Sequence, residues 1–258
     1  MNHRESIEKT KKGFEESFRL GSYYDRQTKD ENHLELILNC IQVEQGMKIL
    51  DLGTGSGYLA FSFAEKYKQS EVVGLDIVEK TLEVNRKKAE LNEIVNLQFV
   101  SYEGITFPFE DNSFDIIITR YALHHFPTIK NTFMEINRVL KKEGLFFLSD
   151  PAPNEDDVER FVDEYMRMKN DGHIKFYTKN EWKEMGKMVA LKCIDEFETN
   201  IRFPRKKDRS IEFDDIIKRH DKSVIKGYGV EIIEDEIWIT EKVNNLLFRN
   251  DKITFMER

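Results

Sequence analysis

Residues 49–61 read ILDLGTGSGYLAF: an apolar run ending at Asp51, glycines at 53, 55 and 57, then a stretch of helical character. Glycine loops at strand-to-helix turns hold dinucleotides, nucleoside triphosphates or S-adenosylmethionine, and the residues around the glycines separate the three. A dinucleotide loop follows G-x-G-x-x-G, whose third glycine permits close helix–strand packing. Tyr58 stands where that glycine belongs. A triphosphate loop needs Lys and then Ser or Thr after its last glycine, and neither follows Gly57. Asp51 also speaks against an anionic ligand, because a carboxylate beside the loop repels a pyrophosphate. It suits a ligand with positive charge, and S-adenosylmethionine carries a sulfonium and an ammonium.

Outward from the loop, β-type runs alternate with helical stretches. The runs are MKILDL (47–52), EVVGLD (71–76), NLQFV (96–100), FDIIITR (114–120) and LFFLSD (145–150). Between them, YLAFSFAEKYK, EKTLEVNRKKAELN and KNTFMEINRVLKKEG space their apolar residues by three and four, the helical period. Several runs are apolar throughout, as parallel strands covered on both faces are. The alternation predicts an α/β fold with a doubly wound sheet, and Gly144 is expected to cap the third helix.

Three segments follow. Residues 1–46 form an N-terminal helical cap, with an aromatic turn RLGSYYDRQ between two helical stretches. Residues 47–150 form the binding core. Residues 151–258 form an acceptor-side cap and a sheet-completing C-terminal extension, the whole expected to be one structural unit with the core. In that last segment the pattern predicts helices at 155–169, 179–188 and 211–220, a β-type run at 191–203, and the β-rich VEIIEDEIWITEKVNNLLF.

Composition excludes several classes. The chain has 258 residues, enough for one large α/β domain, with 40 Lys+Arg against 48 Asp+Glu and a net charge of -8. No overall positive field attracts a nucleic acid, and the basic run Arg205-Lys206-Lys207, followed by Asp208, reads as a solvated turn. Cys40 and Cys193 are too few for a disulfide framework, and their apolar neighbours imply buried free thiols. The charged N-terminus MNHRESIEKTKKGFEE does not read as a signal peptide, and no apolar run approaches the roughly 20 residues of a membrane span. A soluble, cytoplasmic protein is expected. No His/Asp/Glu cluster stands at metal-ligand spacing, so no metal is expected.

The stretch Asp51-Leu-Gly53-Thr-Gly55-Ser-Gly57 resembles the first motif of the class I S-adenosylmethionine-dependent methyltransferases, an acid followed by x-G-x-G-x-G. The resemblance is close over 47–150, looser for the N-terminal helices and up to about residue 200, and faint beyond. It implies a Rossmann-like, mostly parallel seven-stranded sheet with helices on both faces. It also implies a cofactor cradle. Asp51, Gly53, Thr54 and Gly55 would meet the methionine end of S-adenosylmethionine, with the backbone at Arg120 beside them. Asp76, 25 residues after Asp51, would take the ribose hydroxyls, and Ile77 would pack on the adenine. Aligning Phe107-Pro108-Phe109 on the family's Leu-Pro-Phe puts Glu103 on the usual Asp, to accept from the adenine amino group, with a backbone N–H near Gly104 meeting a ring nitrogen. Glu for Asp is a departure there, as is Glu143 for proline after Arg138-Val139-Leu140. Tyr23 and Tyr24 would close over the cofactor, Tyr24 meeting its carboxylate.

Within the family the sequence looks most like the branch of ubiquinone/menaquinone-biosynthesis C-methyltransferases. Asp171-Gly172-His173 with Glu181-Trp182 resembles a stretch there reading Asp-Pro-Ser-His and then Glu-Trp. The proline and serine are missing, so quinone specificity does not carry over.

Methyl transfer from a sulfonium is an in-line displacement. The protein must align the groups, exclude water and remove a proton where the nucleophile requires it. His124 and His125 follow the fourth strand at the carboxyl edge of the sheet, where ligands bind in open α/β folds, and are the candidate general bases. Their alternative role is to brace the loop beneath Phe126. His173 is a second candidate, whereas His3, His33 and His220 have nothing to recommend them. Phe161, Tyr165, Met166, Met168, Phe176 and Trp182 supply a largely buried cap, part of which would suit a small apolar or aromatic acceptor. The expected function is S-adenosylmethionine-dependent methylation of a small molecule, with S-adenosylhomocysteine as product. The alternatives are a cofactor-binding module without turnover and a nicotinamide-dependent oxidoreductase, the latter disfavoured by Tyr58 and Asp51. The strand-like runs of 205–258 would complete the sheet or pair across a homodimer.

Overall fold

In the computed structural model, residues 3–20 and 29–252 are described, so Tyr23 and Tyr24 lie outside the described residues. The elements in chain order begin with α1 (His3–Leu20), α2 (Glu31–Cys40), β1 (Lys48–Leu52), α3 (Tyr58–Lys66), β2 (Glu71–Asp76), α4 (Glu79–Leu91) and β3 (Leu97–Ser101). They continue with β4 (Phe114–Arg120), α5 (Ile129–Val139), β5 (Leu140–Ala152), α6 (Phe161–Arg167), α7 (Lys179–Met188), β6 (Leu191–Lys206), α8 (Ser210–Arg219), α9 (Lys222–Gly227), β7 (Glu231–Ile233) and β8 (Glu236–Asn250).

The sheet follows the order β3-β2-β1-β4-β5-β8-β6, with β7 hairpinned onto β8 as an eighth strand off this path. The first five strands pair in parallel, and β8 then runs antiparallel to both β5 and β6. Alternate residues feed two cores. Leu50, Leu52, Ile117, Phe146 and Leu148 face Phe133 and Ile136 of α5 and Trp182 of α7. Ile49, Val72, Ile116, Ile118 and Phe147 face the other way, onto Ile37 of α2, Phe63 of α3 and Leu82 of α4. Covering both faces is what makes these strands read as continuous apolar runs.

β6 and β8 outrun the sheet. The β5–β8 ladder ends at Ala152 opposite Lys242, while the β6–β8 ladder continues from Ile201 opposite Glu241 to Lys206 opposite Glu236. At about 3.4 Å per residue this hairpin projects roughly 20 Å. Its inner face carries a third core, in which Ile201, Phe203, Ile237 and Ile239 pack on Phe161 and Tyr165 of α6 and Phe213 of α8. The C-terminal segment therefore completes the sheet edge within this chain.

Four local expectations are corrected. Gly144 is not a helix cap: α5 ends at Val139 and Gly144 lies inside β5. A Cβ there would stand 2.9 Å from the carbonyl oxygens of Asp115 and Lys141, which is why glycine is needed. The helix expected at 155–169 is confined to α6, because Asp157 accepts from the backbone N–H of Phe161 (2.7 Å) and Val162 (3.0 Å) and sets a late start. Arg205 and Lys206 are the end of β6, not a turn, and Arg205 donates to the Tyr165 carbonyl at 3.1 Å. Cys40 and Cys193 are free but only half-buried. Among the described residues no helix is long and apolar enough to cross a membrane.

α1 reaches across to the loop after α6 through two glycines. A Cβ on Gly13 would lie 2.0 Å from the Asn170 carbonyl oxygen, and one on Gly172 would lie 2.1 Å from the Thr10 hydroxyl. Backbone on both sides of the first contact leaves no flexible side chain to yield. Gly13→Ala is expected to undock α1 at a cost of about 1–3 kcal/mol. Amide hydrogen exchange checks this: protection should fall along α1 while β1, β4 and β5 keep theirs, and unchanged α1 protection would contradict the docking.

Candidate active site

β1 ends in a carboxylate that holds the turn after it. The Thr54 hydroxyl donates to Asp51 Oδ2 at 2.6 Å and the Ala60 N–H donates to the same oxygen at 3.1 Å. The loop between them needs left-handed backbone at three points, and Gly53, Gly55 and Gly57 supply it with φ of 71°, 51° and 77°. Such angles are strained for residues with a Cβ. At Gly53 a Cβ would also meet that of Ala122 at 2.5 Å. Asp51 thus braces the loop as well as facing the ligand space. From the next strand, Asp76 accepts from Gly55 N–H (2.8 Å) and Val78 N–H (2.9 Å).

Two adjoining cavities open at the carboxyl ends of these strands, where the strand order reverses between β1 and β4. The outer one, about 70 Å³, is lined by Asp76, Ile77, Tyr102 and Gly104, with Ile7, Thr10, Phe14 and Phe18 of α1 over it. The inner one, about 90 Å³, is lined by Asp51, Thr54, His124, Lys169, Asp171 and Glu241 among others, with Phe176 and Phe203 as aromatic wall. Phe14, Gly53, Arg120, Tyr121 and His125 line both and form the partition.

Of the residues singled out from the sequence, Asp51, Gly53, Thr54, Gly55, Asp76, Ile77, Gly104, Arg120, His124 and His125 are brought to these cavities. Glu103 is not. It is exposed, and its carboxylate accepts from the Thr106 N–H at 2.9 Å, so it caps its own loop and Tyr102 takes the wall instead. His173 also lines neither cavity. Its Nε2 pairs with Asp163 Oδ1 at 2.9 Å, and its ring packs on His124 with centroids 5.4 Å apart. From the segment after β5, Met166 and Phe176 reach the inner cavity, whereas Trp182 stacks on Phe133 beneath the sheet.

The partition depends on residues that sequence reasoning passed over. Arg120 is held over the rings of Tyr121 (4.0 Å) and Tyr58 (5.1 Å), and its Nε donates to His33 Nδ1 at 3.3 Å. His33, set aside earlier, is buried at 3 % exposure with its Nε2 on Asn245 Oδ1 at 2.9 Å. Tyr121 takes a left-handed φ of 55°, costly for an aromatic residue. Asp150, at the end of β5, grips His124 twice: its Oδ1 lies 2.5 Å from the ring Nδ1 and its Oδ2 accepts the backbone N–H at 3.0 Å. Asp150 had a usable signal, an acid at the carboxyl end of an apolar strand. His33 had none, because its partners come from residues 120–121, 149 and 245.

Burial dominates the electrostatics. It pushes the carboxyls of Asp150 and Glu241 up to about 8 and Asp51 up to about 7, and raises Asp76 as well. It holds His124 and His125 well below the usual imidazole value, each with a neighbouring histidine adding to the effect. Burial thus disfavours a full ion pair between Asp150 and His124. His124 Nδ1 is engaged with Asp150, and its Nε2 has no hydrogen bond among the described residues. Among those residues no group of three or more His, Cys, Asp or Glu is arranged to hold a metal ion.

A glycine loop after β1, an acid ending β2 and two adjoining cavities thus meet at the point where the strand order reverses. Residues 43–193 match a protein family described as a methyltransferase domain. Over 187 residues the chain is 32% identical to the uncharacterized methyltransferase YcgJ of Bacillus subtilis, covering 72% of this chain and 70% of that one. Over 110 residues it is 33% identical to the demethylmenaquinone methyltransferase of Staphylococcus saprophyticus, covering 42% of this chain and 46% of that enzyme, less than half of either. The crystal structure of a putative methyltransferase from Bacillus halodurans superposes with a TM-score of 0.75 at 21% identity, covering 86% of this chain and all of that one. The chain belongs to the methyltransferase-domain family.

The raised acids give the ligand-free protein a defined pH response. A carboxyl whose folded pKa lies above its unfolded value contributes most stability at acid pH and loses it as pH rises through the folded value. For Asp51, Asp150 and Glu241 that loss begins above the unfolded carboxyl value of about 4 and levels off only once pH passes their folded values of about 7 to about 8. The depressed histidines act oppositely, but only below their unfolded value near pH 6.5. The Tm of the ligand-free protein should therefore fall between about pH 6.5 and 8.5 in a thermal scan, and a rise over that window would contradict the buried acids.

Proposed function

We propose that the chain transfers the methyl group of S-adenosylmethionine to a small-molecule acceptor, with S-adenosylhomocysteine as product. The observation that carries this reading is the partition: two cavities meet at Gly53, Arg120 and Tyr121, so a ligand in each would touch the other there. The outer cavity suits a nucleoside. Asp76 keeps lone pairs free beyond its two backbone bonds for ribose hydroxyls, Ile77 offers an apolar face, and Gly104 (φ 91°) leaves backbone bare where a Cβ would press on Ile7 at 3.1 Å. The Arg120 guanidinium suits the carboxylate of a methionine end, and the buried Asp51 suits its ammonium.

When bound, S-adenosylmethionine supplies the methyl group and the leaving sulfur. The chain's own tasks are alignment, exclusion of water and handling of one proton. Tyr121 and Arg120, fixed through His33, set the wall across which donor and acceptor meet. Phe14, Phe176 and Phe203 line the acceptor space with apolar surface. His124, with its Nδ1–H donated to an ionised Asp150, would accept a proton from the acceptor at Nε2, and that carboxylate would pair the imidazolium so formed. His125, edge-on to Phe14 with centroids 4.9 Å apart, shapes the partition.

Calorimetry tests the first half. Wild type should bind S-adenosylmethionine, and Asp76→Ala should weaken that binding by about 1–3 kcal/mol. No binding by wild type removes the reading. The second half is read as turnover against a panel of metabolite acceptors. His124→Gln should lower kcat by on the order of 10²–10⁴ while the Kd for S-adenosylmethionine stays unchanged. An unaltered kcat would remove His124 from proton transfer without touching the cofactor assignment.

A further inference from the structure

Along β8 the residues facing the third core alternate as Ile237, Ile239, Glu241 and Val243, all buried. Three are aliphatic and one is an acid with 1 % exposure. The ladder offers it nothing, since Ile201 lies directly opposite on β6. Its Oε1 has no hydrogen-bond partner among the described residues. Folding alone would place an aliphatic side chain here, because a buried polar atom without a partner is destabilising. Glu241 is also the first residue of β8 beyond the end of the β5 ladder, and its side chain lines the inner cavity. Glu241 is thus an unpartnered acid in an apolar row that lines a cavity.

Its surroundings favour a positive one. Asp163 and Asp171 lie near enough to act on Glu241 as negative charges, and Lys169 opposes them. That lysine lies 3.4 Å from Asp171 Oδ2 and so already faces a carboxylate. Phe14, Phe176 and Phe203 supply rings around the same space, and aromatic faces attract cations and pack organic skeletons. The cavity admits only a compact molecule.

We propose that Glu241 sets acceptor specificity and that the acceptor is a small organic amine, its N–H groups donated to Glu241 Oε1 and its carbon skeleton laid against Phe14, Phe176 and Phe203. The inference rests on reading the inner cavity as the acceptor site. Glu241 anchors the amine by binding and takes no part in displacement at the methyl carbon. A neutral isostere without N–H groups is rejected because it leaves the buried acid unpaired.

Four probes of equal heavy-atom count test this by calorimetry: benzylamine, benzyl alcohol, anisole and ethylbenzene, each titrated with and without S-adenosylhomocysteine. Wild type should bind benzylamine at least about tenfold more tightly than the other three, and Glu241→Gln should reduce that preference to about threefold or less, with the Kd for S-adenosylhomocysteine unchanged. Glu241→Leu, a second variant should Gln fold poorly, should bind ethylbenzene at least as well as benzylamine. No benzylamine binding, equal binding of any neutral probe by wild type, or a benzylamine preference that survives both variants overturns the proposal. Failure of S-adenosylhomocysteine to bind overturns the methyl-transfer reading instead, and the titrations without it still decide whether Glu241 selects amines.

Discussion

The turn after β1 depends on one carboxylate. Asp51 receives the Thr54 hydroxyl and the Ala60 N–H on a single oxygen, and this pulls the loop back onto the start of α3. Only then do Gly53 and Thr54 present their N–H groups to the Leu75 carbonyl of β2, at 2.8 and 3.1 Å, and Gly55 its N–H to Asp76. The loop is thereby tied to two strands. Because Gly53 also lies against Ala122, the position of the β4 turn, and with it Tyr121 and the histidine pair, follows from the same clamp.

That dependence explains which parts were legible in the sequence. Each element between residues 47 and 150 is local: an apolar strand, a glycine or acid at its end, an amphipathic helix returning. Periodicity and end signals place them to within a few residues, and the cavity-lining residues on strand ends came with them. The misses share a different physics. Gly144 carries the same residue type as a helix cap but answers a steric demand from Asp115, 29 positions away in the chain. Glu103 sits at the right distance along the chain yet turns onto its own loop, because the nearby Thr106 N–H satisfies a carboxylate locally. His33 looks like any polar residue on a helix, and its value comes only from Arg120, Tyr121 and Asn245 converging on it.

The two long strands of residues 191–206 and 236–250 were legible as strands but not as a cavity wall. Their alternation predicts β structure whether the strands end with the sheet or outrun it. What decides is the mismatch in length with β5, whose ladder stops at Ala152. The projecting hairpin then needs a cover, which explains why α6 and α8 are rich in large apolar residues: they bury a face that the sheet's own helices cannot reach.

Asp51, Asp76, Asp150 and Glu241 lie within or beside two adjoining cavities, all with ionisation disfavoured by burial. Such a concentration is unfavourable for a free-standing core, since each group must either stay protonated or carry a poorly solvated charge. Their placement is consistent with cavities shaped for ligands that bring compensating charge. A cation entering beside a carboxyl lowers its pKa and draws out the proton that burial had retained, so occupancy and ionisation are linked at these positions.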